Sequence, residues 1–233
     1  MIVITGSAGF IGSALAARLN KARFFDLVLV DDFSRPDKAP NHEELKCKER
    51  VDRLAFFDWL EVNENQVQFI FHLGARTDTT EQDRAIFDDL NVSYSQRVWN
   101  ACVAYGLPLV YASSAATYGG GEHGYQDDHG IVDQLEPLNP YGESKNDFDR
   151  WALAEAEAGR APYFWAGLKF FNVFGPNEYH KGRMASVVFH TFNQVQATGA
   201  MKLFRSHRDD YADGGQTRDF VYVKDVAEVC MFL

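Results

Sequence analysis

The sequence predicts an α/β protein built on a doubly wound parallel sheet, and three observations carry that reading. Short apolar runs alternate with helical patterns through the first two-thirds of the chain, as in βαβ units whose strands are covered on both faces. A glycine-rich turn, Gly6-Ser7-Ala8-Gly9-Phe10-Ile11-Gly12, separates the first apolar run from the first helical segment. The 233 residues are 46% hydrophobic and 24% charged, with 18 Gly and 7 Pro, which suits a soluble chain of one large domain, with or without a small lobe.

Taken in order, the strands are expected at 2–5, 27–31, 68–72, 107–112 and 164–171, with helices at 10–22, 84–105 and 141–158. Segment 42–60 reads as largely helical with room for a short strand. Beyond Phe171 the alternation turns irregular: a polar and basic loop at 175–183, a helix near 184–198 and a strand near 201–205. This divides the chain into a dinucleotide-binding domain at 1–174, part of a smaller substrate lobe at 175–217, and a return to the first domain at 218–233. Val226, Val229, Cys230 and Leu233 keep helical spacing with no stop signal after them, so the last helix is expected to be cut in mid-run and the lobe to be truncated.

Charge and cysteine content narrow the function classes. The formal net charge of −10, from 33 acidic and 23 basic residues, argues against nucleic acid or an anionic membrane as main partner. Cys47, Cys102 and Cys230 are widely spaced with no C-x-x-C pair, as expected of reduced thiols in a cytoplasmic protein. The N-terminus has no basic leader and its apolar run breaks at Gly6, so neither a signal peptide nor a membrane span is expected. No metal is expected either, because His180 has no second ligand at a suitable spacing.

The first chemistry lies in the turn at 6–12. Gly6, Gly9 and Gly12 let the backbone approach a pyrophosphate, and the following helix start offers free N–H groups and a positive dipole end. The spacing is G-x-x-G-x-x-G, and its place directly after a strand reads as a dinucleotide site. The second strand ends at Asp31-Asp32, where a carboxylate usually holds the adenosine ribose. Asp31 alone points to NAD, whereas Arg35, Lys38 and Arg53 suit the 2′-phosphate of NADP. The residues themselves leave that choice open.

The second chemistry is Tyr141-Gly142-Glu143-Ser144-Lys145. Asn139 is a good N-cap and Pro140 suits the first helical position, so Tyr141 and Lys145 fall at i and i+4 on one face. An ammonium beside a phenol favours phenolate, so a lowered tyrosine pKa is expected. Such a tyrosine can exchange a proton with a carbinol while hydride moves to or from a nicotinamide. Ser113-Ser114-Ala115-Ala116-Thr117-Tyr118-Gly119 follows a strand, and a hydroxyl there can bond the reacting oxygen.

In their order along the chain, TGSAGFIG, FHLGA (71–75), SSAATYG, YGESK and FFNVFGP (170–176) resemble the extended short-chain dehydrogenase/reductase family. That family includes nucleotide-sugar epimerases and dehydratases on a Rossmann-type sheet. Within it, residues 111–121, the H-K-G-x-M-A-S of 180–186 and the RDFVYV of 218–223 are similar to the branch that epimerises ADP-linked heptoses for lipopolysaccharide core. The resemblance implies an NADP-dependent isomerase (NAD possible) with an ADP-heptose substrate, assembled as a homo-oligomer, a pentamer. It implies a catalytic set of Ser114, Tyr141 and Lys145, with Lys181 as an additional acid/base group. On the cofactor side it implies Gly6, Gly9, Phe10, Ile11, Gly12, Asp31, Asp32, Lys38, Arg53, Leu73, Gly74, Ala75, Arg76, Thr77, Asn91 and Val173, together with Tyr141, Lys145 and Lys181. On the substrate side it implies Ser114, Asn172, Arg183, His190, Phe204, Arg205 and Arg218.

Three departures from that pattern stand out. Arg183 replaces a small residue, the 202–211 stretch is unusually basic through Arg205, His207 and Arg208, and three extra residues separate Ser114 from Tyr141. Two other functions fit the same fold. A UDP- or dTDP-sugar 4-epimerase or 4,6-dehydratase is disfavoured by 180–186 and, for the dehydratase, by Ala115-Ala116 where an Asp-Glu pair is expected. A non-catalytic NADP(H)-binding protein has no need of a complete Ser114, Tyr141 and Lys145 set.

Overall fold

The structure, a computed structural model, describes residues 1–207, 209 and 211–233. In chain order its elements are β1 (Ile2–Thr5), α1 (Phe10–Lys21), β2 (Leu27–Asp31), α2 (Ala39–His42), β3 (Glu49–Asp52), α3 (Phe56–Asn63), β4 (Phe69–His72), α4 (Arg84–Phe87), α5 (Tyr94–Tyr105), β5 (Leu109–Ser114) and α6 (Pro140–Glu157). They continue as β6 (Trp165–Phe170), β7 (Asn172–Phe174), α7 (Val187–Thr198), β8 (Phe220–Tyr222) and α8 (Val223–Phe232). Six strands form one parallel sheet in the order β3-β2-β1-β4-β5-β6, and β7 pairs with β8 in a separate parallel ribbon. Helices cover both faces, α1 and α8 on one and α3, α5 and α6 on the other, as a doubly wound sheet requires, so the expected fold class holds.

Strand alternation explains the two cores. Val3, Val28, Val30 and Ile70 point to a cluster with Phe56, Trp99, Leu109 and Phe148. Their neighbours Ile4, Leu27, Leu29 and Phe71 point the other way, to Leu15, Leu19, Ala227 and Cys230. Thus α8 lies against the same sheet face as α1, and Arg18 donates to both carboxylate oxygens of Glu228 at 2.5 and 3.0 Å. All three cysteines are free thiols, two of them buried. Among the described residues, no helix is long and apolar enough to cross a membrane.

Several expected boundaries move, each for a local reason. The short strand expected inside 42–60 is β3, which extends the sheet edge beside β2. The fourth apolar run pairs over Leu109–Ser114 rather than 107–112, because Pro108 has no N–H and Leu107 donates to Cys102 at the end of α5. The helix expected over 84–105 is interrupted by a π-helical stretch, Asp88–Ser93, which turns Asn91 into the interior. The strand expected near 201–205 does not form. That stretch folds on itself, with Gly214 N–H donating to the Phe204 carbonyl at 2.8 Å and Ser206 N–H to Asp213 at 2.7 Å, and an isolated extended run without a partner strand gains no ladder. Arg208, expected to add charge there, lies outside the described residues.

Candidate active site

The sheet order reverses between β1 and β4, so the loops after these two strands flank the crevice where an open α/β sheet binds ligands. Backbone packing there is too close for side chains. Gly6 has φ +69°, and a Cβ on it would lie 2.6 Å from Gly74; a Cβ on Gly12 would lie 2.2 Å from the Gly6 carbonyl. Gly9 caps α1 without a side-chain bond, and the first turn, Phe10, Ile11 and Gly12, holds no acid. This leaves uncapped N–H groups and a positive helix end for a pyrophosphate. The cradle therefore fits a dinucleotide on its geometry.

The acids after β2 are already engaged. Asp31 accepts from Ala8 N–H at 2.9 Å, from Asp32 N–H at 2.8 Å and from Lys38 Nζ at 2.9 Å, which ties the glycine turn to the end of β2 and to the residue before α2. Asp32 is held below the usual carboxylate range by the Ser34 hydroxyl and N–H, with a smaller contribution from the charges of Arg53 and Lys38. Arg35 is occupied by Asp37. After β4, Leu73 N–H donates to Thr5, and Gly74 abuts Gly6; Ala75, Arg76 and Thr77 follow. Asn91 accepts from Arg76 N–H at 2.8 Å and donates to the Arg76 carbonyl at 3.0 Å and to Ser144 Oγ at 2.9 Å. Its amide thus ties the loop after β4 to α6.

Around Tyr141 the sequence reading holds in placement and is corrected in electrostatics. Asn139 Oδ1 accepts from Gly142 N–H at 2.9 Å, with Pro140 opening α6, so Tyr141 and Lys145 start one face of that helix. The Tyr141 phenol is raised, not lowered: burial pushes it up, a hydrogen bond with Ser114 opposes this, and Asp149 adds to the rise. Lys145 Nζ donates to the Ala112 carbonyl at 2.8 Å, and its charge is not among the causes of the shift of the phenol. Burial lowers Lys145 to about 8, with Asp149 opposing.

Asp149 is a residue the sequence reading missed. It lies four positions past Lys145 on the same face of α6, which is the only trace it leaves in the sequence. Buried, it accepts from Tyr111 OH at 3.0 Å, Ser113 Oγ at 2.6 Å and Lys169 Nζ at 2.6 Å. It fastens α6 to β5 and β6 beside a cavity of about 80 Å³, large enough for water.

Lys181 stands on a 3₁₀ segment, Tyr179–Met184, with its Nζ 5.2 Å from the Phe10 ring centre, against the glycine turn. Burial lowers its ammonium and the nearby Glu178 opposes. Glu178, also missed, is 2% exposed; it accepts from Gly175 N–H at 3.1 Å, Ser186 N–H at 2.5 Å and Ser186 Oγ at 2.9 Å, closing the loop around Lys181.

The expected substrate residues are not gathered into one group. Arg183 turns to the β4 side, donating to Asp78 at 3.0 Å and to Thr80. The Thr80 hydroxyl and N–H, with Arg183 behind them, hold Asp78 down to about 2. His190 on α7 faces the Arg183 carbonyl at 3.4 Å. Asn172 bonds the Asp219 carbonyl where β7 meets β8, with Val173 next to it, and the exposed Arg218 donates to the Thr217 carbonyl. Phe204 and Arg205 lie exposed on the self-folded stretch.

A glycine cradle at a parallel-sheet switch point, with Ser114, Tyr141 and Lys145 beyond it, fits a nicotinamide-dependent enzyme, and the chain belongs to the NAD dependent epimerase/dehydratase family, whose model matches residues 2–233. Over its whole length it is 45% identical to ADP-L-glycero-D-manno-heptose-6-epimerases of Fusobacterium nucleatum and Nitratidesulfovibrio vulgaris, spanning 70% and 72% of those proteins. Among solved structures, the Helicobacter pylori ADP-L-glycero-D-manno-heptose-6-epimerase superposes with a TM-score of 0.80 at 28% identity, over 97% of this chain and 70% of that one. MoeE5 in complex with UDP-glucuronic acid and NAD matches at 0.74 and 31% identity, over 99% and 70%.

Proposed function

We propose that this chain is an isomerase inverting C6 of ADP-glycero-manno-heptose, D-glycero to L-glycero, with no net redox change. The observation that carries this reading is a second half-buried proton carrier, Lys181, seated against the glycine turn in addition to Tyr141. A reaction that removes and returns hydrogen on opposite faces of one carbon needs proton exchange on two sides, or rotation of the intermediate between them. A nicotinamide held there would supply the hydride acceptor and donor for C6. As the hydride leaves C6, Lys181, drawn toward its neutral amine, takes the O6 proton and the C6–O bond becomes a carbonyl. On return of hydride to the other face, Tyr141, held in its protonated form, gives a proton to O6, with Ser114 bonding that oxygen. A proton passing from Lys181 to Tyr141 resets the site. Groups whose surroundings push their pKa values in opposite senses suit paired base and acid roles.

NADP is the proposed cofactor, supported by Lys38 and Arg53 beside Asp31 and Asp32. The glycine turn, the 73–77 loop, Asn91 behind it and Val173 complete its seat. Asn172, Arg183, His190, Phe204, Arg205 and Arg218 are the proposed sugar-nucleotide contacts, which requires Arg183 to leave Asp78. The reaction is placed in the cytoplasm, in supply of lipopolysaccharide heptose, by a homo-oligomer, for which light scattering is the check. Two assays test the whole reading: turnover of ADP-D-glycero-D-manno-heptose against UDP-galactose, and identification of the nucleotide that co-purifies. Conversion of UDP-galactose alone overturns the substrate; co-purified NAD alone overturns the cofactor.

A further inference from the structure

One buried amide joins the cofactor turn to the Lys181 loop. Asn41 lies in α2, three residues past Lys38, and is 6% exposed. Its Nδ2 is 3.2 Å from the Ala8 carbonyl in the glycine turn, 3.1 Å from the Asn177 carbonyl and 3.1 Å from His180 Nδ1. The two carbonyls fix the amide orientation, because Oδ1 in that place would face two acceptors. His180 Nδ1 must then accept, which places the ring proton on Nε2, and two N–H protons serve three acceptors. Asn177 makes a second tie, donating to Ser13 Oγ on α1 at 3.0 Å. His180 immediately precedes Lys181, and Lys38 on the other side of Asn41 is paired with Asp31.

We propose that Asn41 is a positioning residue that locks the 175–184 loop onto the glycine turn, so that seating the dinucleotide and placing Lys181 are a single event. The link to catalysis rests on the role of Lys181 proposed above; the lock itself does not. Its His180 contact needs an unprotonated imidazole. Burial holds that imidazole below its ordinary value, as do the charges of Lys38, Arg35 and Lys181, against Asp37. That contact therefore holds at neutral pH and is lost in acid, when Nδ1 becomes a donor facing a donor, while the two carbonyl contacts remain.

Hydrogen–deuterium exchange on the full chain, with and without NADP, tests the lock in Asn41→Asp and Asn41→Leu. The first keeps the shape of the side chain and removes its donors; the second removes the polar group altogether. Amides of 177–184 are expected to exchange about tenfold faster in both, as loss of one buried hydrogen bond predicts, while β4 and β5 keep wild-type rates. NADP is expected to slow 177–184 in the wild type and not in the variants. Wild-type rates in both variants overturn the proposal, as does faster exchange across the whole sheet, which makes Asn41 a general folding residue. In turnover assays the pH limb belonging to Lys181 is expected to move upward in Asn41→Asp; a fixed limb in a loosened loop overturns the link to Lys181. A wild type that does not epimerise the heptose overturns the proposed function, and the exchange result still decides the lock.

Discussion

The two groups proposed to exchange protons are held by opposite means. Tyr141 sits in the first turn of an 18-residue helix whose inner face is fixed by Lys145 on the Ala112 carbonyl and Asp149 on three side chains of β5 and β6. Lys181 sits in Tyr179–Met184, two short 3₁₀ turns broken at Gly182 with φ +54°, and the loop is held by one buried carboxylate, Glu178, and one buried amide, Asn41. The first support is secondary structure packed on the core and loses little when one contact is removed. The second is a set of single hydrogen bonds, each of which matters. A site built this way keeps one partner rigid and lets the other move when ligand arrives.

That contrast can be broken at graded points. Tyr141→Phe is expected to lower epimerisation about 10³-fold with the cofactor still retained, since a positioned general acid contributes ~10²–10⁴; steady-state turnover and the bound-nucleotide content check it. Lys181→Met is expected to cost about 10²-fold, and near-normal turnover in that variant removes Lys181 from the mechanism. Glu178→Gln places an amide NH₂ against backbone donors, and a loss of about 3 kcal/mol in urea denaturation is expected from the unsatisfied groups. The equivalent change on the rigid side is milder. Asn139→Ala removes only the cap of α6 and is expected to cost about 1 kcal/mol by the same measurement.

A pH experiment sharpens the rigid side. Lys145 titrates near 8 in the fold against 10.5 when exposed, so between those values the unfolded chain binds the extra proton. Stability contributed by this group is therefore lowest below about pH 8 and rises with pH up to about 10.5. Lys145→Met is expected to flatten that rise; an unchanged slope in melting curves shows that Lys145 is not the titrating group.

Much of this was legible without coordinates. Strand β1, the glycine turn, Asp31 at the end of β2, and the Asn139-Pro140 start of α6 follow from local pattern, because each depends on neighbours within a few residues. The direction of the Tyr141 shift was not legible. It depends on burial and on Asp149, whose partners Tyr111 and Lys169 are 38 and 20 residues away in the chain. Arg183 likewise finds Asp78 across 105 residues, which no spacing rule anticipates.

Sequence alone determined the sheet and the cradle, since periodicity and glycine geometry are short-range properties of the chain, and motif resemblance singled out the proposed proton carriers. Only the tertiary structure decided how those carriers are charged and held. Desolvation and hydrogen bonds to distant side chains act through space: they raise Tyr141, tie Lys145 to a carbonyl, and hang Lys181 from Glu178 and Asn41.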